Sequence, residues 1–169
     1  MPKHRVKLGS EHPLCDRLQS IMLVMFFAAW AIDALSYFLF RVSTIVVESA
    51  SFPLLLFPAI LSWGFGVYLA LKSHEAVFPE TAGKPRLIES GVYSWVRHPM
   101  YLGTFLFCLG FAFAAVSLLS LGVLIGFFVF YDKMATYEEE DLVSKLGQEY
   151  SSYQKRVPKW IPRPRRKQV

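Results

Sequence analysis

The sequence predicts an all-α, polytopic membrane protein with about four transmembrane helices, the last two forming a C-terminal hairpin, followed by a cytoplasmic amphipathic helix. Three observations carry this expectation. The 169-residue chain is 54% hydrophobic and 16% aromatic, too apolar for an ordinary soluble fold. Its apolar residues are gathered into long runs nearly free of charge. Its cations are distributed unevenly among the segments that those runs separate.

The first run, Ile21 to Phe40, carries a single charge, Asp33; the second, Phe52 to Leu71, carries none. Each has the length of about 20 residues that a helix needs to cross a hydrocarbon core of about 30 Å. The first exceeds the apolar region of a signal peptide and lacks a small-residue cleavage pattern after it, so it reads as a retained span. A third run, Pro99 to Tyr131, is longer than either and has no ionisable charge. As one straight helix it would be about 50 Å long and would overshoot the bilayer, so it is expected to fold back on itself. Ser117 to Ser120 lies near its middle and is the natural turn. The resulting limbs, of roughly 16 residues and about 24 Å, are short. The second is therefore expected to continue as helix past Tyr131 into an acidic segment at the membrane surface.

Of the 18 Lys and Arg residues, four precede the first span, four lie between Lys72 and Arg97, nine follow Tyr131, and only Arg41 is left for the opposite face. The positive-inside rule then places both termini in the cytoplasm. Arg163, Arg165, Arg166 and Lys167 form a polybasic tail, 163–169, for which anionic lipid headgroups, and not nucleic acid, are the expected partner beside four spans. The two cysteines, Cys15 and Cys108, suggest no disulfide framework, and no metal site is expected. Asp33, an acid within a span, is a functional candidate by default, with local pairing to Ser36 or Tyr37 as the plainer alternative.

Two polar clusters bracket the hairpin, whose fold brings them to one side. One runs from Ser90 to Gly103 and contains Tyr93, Arg97, His98, Pro99 and Tyr101; the other is Tyr137-Glu138-Glu139-Glu140-Asp141. Pro99 suits the first turn of a helix, which sets Arg97 and His98 at its N-terminus, where free N–H groups and the dipole favour an anionic group. His98 and Tyr101 share a face, and Gly103 allows a ligand or a neighbouring helix to come close to the backbone. Taken singly, Arg97, His98 and Tyr101 read as an interfacial cation, a headgroup-bonded histidine and a belt aromatic. Glu138 and Glu139 could likewise be the solvated edge of an amphipathic helix with the stripe Leu142, Leu146, Tyr150, Tyr153 and Val157. That plainer reading leaves four successive acids opposite a basic helix end unexplained. Carboxylates there can hold an ammonium, bond ribose hydroxyls and favour a sulfonium.

From Arg86 to Pro162 the sequence resembles the isoprenylcysteine carboxyl methyltransferase family, itself related to phospholipid methyltransferases. The resemblance rests on Gly91-Val92-Tyr93, on Arg97-His98-Pro99-Met100-Tyr101-Leu102-Gly103, on Glu138-Glu139 after the apolar hairpin, and on Gly147-Gln148-Glu149-Tyr150, Tyr153 and Arg156-Val157-Pro158. It implies a single membrane domain, 1–169, with N-terminal spans and a loop in 1–85 and a methyltransferase core in 86–162 that binds S-adenosylmethionine while a lipid substrate enters from the bilayer. It further implies cofactor contacts at His98, Tyr101, Glu138 and Glu139, with Leu87, Val92, Tyr93 and Gly103 shaping the pocket. Arg97 is the candidate to orient a substrate or cofactor carboxylate, and Arg156 is a candidate for the substrate carboxylate. An amine or phenol acceptor would instead need a base, with Glu139 or His98 available.

The expected activity is carboxyl methylation of an isoprenylcysteine-like group. The alternatives are a phospholipid N-methyltransferase of the phosphatidylethanolamine type, which shares an acidic pair after a hairpin, and a membrane NADPH-dependent reductase related to sterol reductases. A non-enzymatic membrane scaffold leaves the density of the two clusters unexplained.

Overall fold

The computed structural model describes residues 15–40, 52–77, 87–115 and 117–162. Arg41 and the basic tail, on which part of the charge asymmetry rests, lie outside the described residues. The chain forms helices α1 (Cys15–Phe40), α2 (Phe52–Val77), a short 3-10 helix (Gly91–Ser94), α3 (Pro99–Ala115), α4 (Leu118–Leu146) and α5 (Gln148–Arg156). Three of these, α1, α2 and α4, are long and apolar enough to cross a membrane, and α3 is a shorter apolar helix of 17 residues. The chain is an integral membrane protein, and most of its large apolar side chains outside the bundle core point outward, as a lipid environment requires.

The apolar hairpin turns where its length demanded. The Ser117 side chain accepts the Ser120 backbone N–H at 3.1 Å, capping the start of α4 as a short oxygen-bearing residue does best. From there α4 runs for 29 residues, about 43 Å, so its last turns carry Glu138 to Asp141 beyond the apolar run. It stops at Gly147, whose φ of 55° suits a residue without Cβ. The amphipathic stripe expected on one helix is thus divided between α4 and α5. Its members still pack together: Tyr150, Tyr153 and Val157 form one buried cluster with Leu87, Leu142, Val143 and Leu146.

Packing in the bundle has two centres. Phe111 of α3 meets Phe27 of α1 and Trp63 of α2 edge to face, with ring centroids 5.2 and 5.0 Å apart, and its carbonyl accepts the Trp30 indole N–H at 3.1 Å. Deeper in, Phe26 of α1 joins Leu124 and Phe127 of α4 in the core. Between α2 and α3 the approach is governed by glycine. A Cβ on Gly103 would stand 2.8 Å from the Gly66 carbonyl oxygen, and one on Gly66 would stand 2.8 Å from that of Gly103. Small residues at such crossings let backbones touch where lipid gives no hydrophobic drive to association. This contact ties α2 closely to the segment 86–162.

Candidate active site

Pro99 opens α3, so Arg97 and His98 sit where the chain enters the helix, and the reach of α4 beyond the apolar run delivers Glu138 and Glu139 opposite them. Glu139 is the centre of the arrangement. Its Oε1 accepts from Arg97 Nε at 2.8 Å and lies 2.9 Å from His98 Nε2; its Oε2 accepts from Arg97 Nη2 at 3.1 Å and from Gln154 Nε2 at 3.0 Å. With only 8% of its surface exposed, this carboxylate keeps its charge buried through four bonds, two of them from one bidentate arginine.

Arg97 is equally committed. Its Nη1 donates to the carbonyl oxygens of Gln154 and Val157, both at 2.9 Å, and its backbone N–H donates to the Pro158 oxygen at 3.0 Å. The Arg97 side chain, expected to orient a substrate or cofactor carboxylate, is directed at protein partners. Its guanidinium is taken up by Glu139 and by the C-terminal end of α5, where free carbonyls of the last turn attract a cation. Arg97→Lys is expected to cost about 2 kcal/mol, because a point charge cannot replace a fork that serves three partners. Chemical unfolding in detergent measures this.

Glu138 takes the other side of the histidine. It accepts a hydrogen bond from the Tyr101 hydroxyl, and its Oε2 lies 3.6 Å from His98 Nδ1. The His98 and Tyr101 rings stack at 5.8 Å with 6° between their planes; Tyr101 stacks in turn on Tyr131 at 4.7 Å, and Tyr131 on Phe127 at 4.6 Å. His98 thus has a carboxylate near each ring nitrogen and heads an aromatic column that descends into the bundle.

The other expected site residues are placed differently. Val92 is buried in the 3-10 helix. Tyr93 lies beside it, with its backbone carbonyl accepting the Tyr153 hydroxyl at 2.7 Å. Burial, helped by the nearby Glu138 charge, pushes the Tyr93 phenol up to about 12 against a hydrogen bond with Ser73, so Tyr93 keeps its proton at physiological pH. Leu87 packs against the α5 cluster. Gly103, expected to shape a ligand pocket, is occupied by the backbone of α2. Arg156 stands apart from the cluster, with its side chain 62% exposed and its Nη2 on Glu89 Oε2 at 2.7 Å. Asp33 is buried on α1 and is not among the residues of this cluster.

Sequence reasoning missed Gln154, which bonds Glu139, and missed Trp160, whose ring lies beside His98 and whose N–H, with Lys159, is held by Asp132. Asp132 was open to discovery: with Thr136 and Glu139 it follows an i, i+4, i+7 spacing on one face of α4. Nothing in the spacing of Gln154 announces that it bonds Glu139.

Residues 52–149, more than half of the chain, match the profile of the phospholipid methyltransferase family. The chain belongs to that family. The match begins at α2, which agrees with the intimate α2–α3 packing, and it takes in both halves of the histidine cluster.

Within the family the chain is similar to enzymes named protein-S-isoprenylcysteine O-methyltransferase. It is 38% identical to that of Schizosaccharomyces pombe over 81 residues, 45% of this chain and 33% of the relative, and 34% identical to that of Homo sapiens over 77 residues, 45% of this chain and 27% of the relative. The chain matches about a third or less of the length of these relatives. A solved eukaryotic intramembrane Ras methyltransferase, isoprenylcysteine carboxyl methyltransferase, superposes with a TM-score of 0.61 at 24% identity, over 86% of this chain and 52% of the other. At that identity the superposition speaks for the fold.

Proposed function

We propose that the chain is an S-adenosylmethionine-dependent methyltransferase that esterifies a carboxylate on a lipid-embedded, isoprenylcysteine-like substrate. The observation that carries this reading is the cluster of Arg97, His98, Tyr101, Glu138 and Glu139 at the end of the apolar hairpin, within a family of methyltransferases and in a segment similar to isoprenylcysteine O-methyltransferases. The donor set suits the cofactor. Glu138 is less enclosed by the protein than Glu139 and offers carboxylate oxygens to an ammonium or to ribose hydroxyls. The first turn of α3 offers backbone N–H groups to a carboxylate. When bound, S-adenosylmethionine supplies a methyl group activated by a positive sulfur.

The residues of the chain then have distinct tasks. Glu139 and Arg97 fix the relative position of α3, α4 and α5; His98 and Tyr101, held by that frame, meet the cofactor together with Glu138. Val92 and Tyr93 form the adjoining wall, with Leu87 behind it. A carboxylate acceptor arrives already deprotonated and needs alignment and exclusion of water, not a base. With Arg97 fully engaged, Arg156 is the cation proposed to meet the substrate carboxylate, in exchange for its bond to Glu89. Substrate enters from the bilayer, both termini lie on the cytoplasmic face, and the basic tail rests on anionic headgroups.

Arg156→Ala separates these roles. As a largely exposed ion pair, Arg156–Glu89 adds at most about 1 kcal/mol to stability. The variant is expected to fold and to bind S-adenosylmethionine as the wild type does, while turnover on a prenylcysteine analogue falls at least about tenfold, the loss of one charge-assisted contact. Equilibrium binding and initial rates on the same preparation test this. Lost cofactor binding with intact turnover per bound cofactor would reassign Arg156 to the cofactor site.

A further inference from the structure

Past Arg156 the backbone runs from the end of α5 back to α4. Pro158 accepts the Arg97 N–H at 3.0 Å. Lys159 Nζ donates to Asp132 Oδ1 at 2.7 Å, to the Asp132 carbonyl at 3.0 Å and to Thr136 Oγ1 at 2.8 Å. Trp160 Nε1 donates to the same Asp132 Oδ1 at 2.8 Å. Two consecutive residues of this strap are thus gathered on one carboxylate oxygen of α4, about two turns before Glu139.

The strap ends on the histidine. The Trp160 ring lies 5.8 Å from that of His98, tilted by 41°, and 5.5 Å from Phe128, and it packs against the core cluster that contains Tyr101 and Tyr131. Tyr101 stacks on His98 as well, and carboxylates stand near both ring nitrogens. Trp160 is therefore part of the enclosure of the residue that heads the candidate site.

A simple stabilising role does not account for Asp132. Its side chain is 46% exposed, and an ion pair so placed contributes little to folding. What a shared acceptor does supply is direction. An indole N–H bond sets the ring plane, and the neighbouring ammonium holds the backbone that carries it.

We propose that Asp132 is a positioning residue of the methyl-transfer site: by holding Lys159 and the Trp160 indole it keeps the 157–160 strap against His98, and so keeps His98 in place for the cofactor. This rests on the functional reading above and extends it to residues outside the two clusters.

The test uses the full chain in detergent. D132A is expected to weaken binding of radiolabelled S-adenosylmethionine about tenfold, to raise its KM by a similar factor, and to lower turnover at saturating cofactor by less, as loss of charged hydrogen bonds that act on binding would. D132N keeps an oxygen for both donors and is expected to remain within about threefold of wild type. W160A should match D132A, and the double variant D132A/W160A should bind no more weakly than W160A alone, since the two act through one contact.

In the ligand-free protein the Arg97 amide, bonded to the Pro158 oxygen, should exchange hydrogen faster in D132A than in wild type. Wild-type affinity and exchange in D132A, or additive losses in the double variant, would overturn the proposal. Should D132A not be recovered folded, W160F carries the test: it keeps a smaller aromatic ring against His98 and deletes the N–H donor, intermediate affinity is expected, and unchanged affinity and exchange overturn the idea. A wild-type protein that binds no S-adenosylmethionine would fail the functional reading itself, and the exchange comparison would still decide whether Asp132 holds the strap.

Discussion

Glu139→Ala is expected to destabilise the protein by about 3–5 kcal/mol and to abolish cofactor binding. The carboxylate joins three elements that the membrane spans alone would not hold in register: Arg97 before α3, its own helix α4, and Gln154 of α5. Without it, the Arg97 side chain, 12% exposed, retains two carbonyl partners but no counter-charge. An uncompensated buried cation costs far more than a surface pair contributes. His98 would lose its Nε2 partner in the same step. Glu139→Gln is expected to rescue only part of the loss, since the amide oxygen can accept one set of bonds while the amide N–H group faces donors. Unfolding in detergent, followed by circular dichroism, measures the change. A loss below about 1 kcal/mol in the alanine variant would mean that the cluster does not hold the helices together.

Gly103→Ala is expected to cost about 1–3 kcal/mol, a large effect for one methyl group. The new Cβ would stand 2.8 Å from the Gly66 carbonyl and 3.0 Å from the Ala70 nitrogen, and both are helix backbone with no rotamer to change. Relief requires α2 and α3 to separate. Gly66→Ala meets the same obstruction from the other side, at 2.8 Å from the Gly103 oxygen and 2.9 Å from the Phe107 nitrogen. The double variant should therefore cost less than the sum of the two, because the helices need part only once. At Gly122 and Gly126 of α4 an added Cβ would meet no atom from the rest of the described residues within 4 Å, so these positions serve as controls; alanine there should be neutral or mildly stabilising.

The membrane architecture was legible because the bilayer imposes a length. An apolar run reaching from Pro99 to Tyr131 is too long for one span, and the turn falls at Ser117, where a side-chain cap is available. Pro99 marked the start of α3 for an equally local reason, its missing N–H. The pairing of the Arg97–His98 cluster with Glu138–Glu139 followed from the hairpin topology. Partner choice within the cluster did not. Nothing in the order of residues says that Arg97 spends its donors on Glu139 and two α5 carbonyls instead of a ligand, for that depends on where α5 folds back. The break at Gly147 was hidden for a related reason: the apolar stripe continues across it, so periodicity saw one helix where a positive φ makes two. Gly103 was read correctly as a point of close approach, and its occupant proved to be the α2 backbone.

The most direct test of the central claim is methyl transfer. Purified protein is incubated with S-adenosylmethionine carrying a radiolabelled methyl group and, in parallel, with a prenylcysteine analogue, phosphatidylethanolamine and a total lipid extract. Label is expected on the prenylcysteine analogue, released by mild base as methanol, the behaviour of a methyl ester. Base-stable label on phosphatidylethanolamine, with none on the prenylcysteine, would contradict carboxyl methylation and place the activity with amine acceptors; tight NADPH binding with no transfer to any acceptor would contradict the methyltransferase reading as a whole.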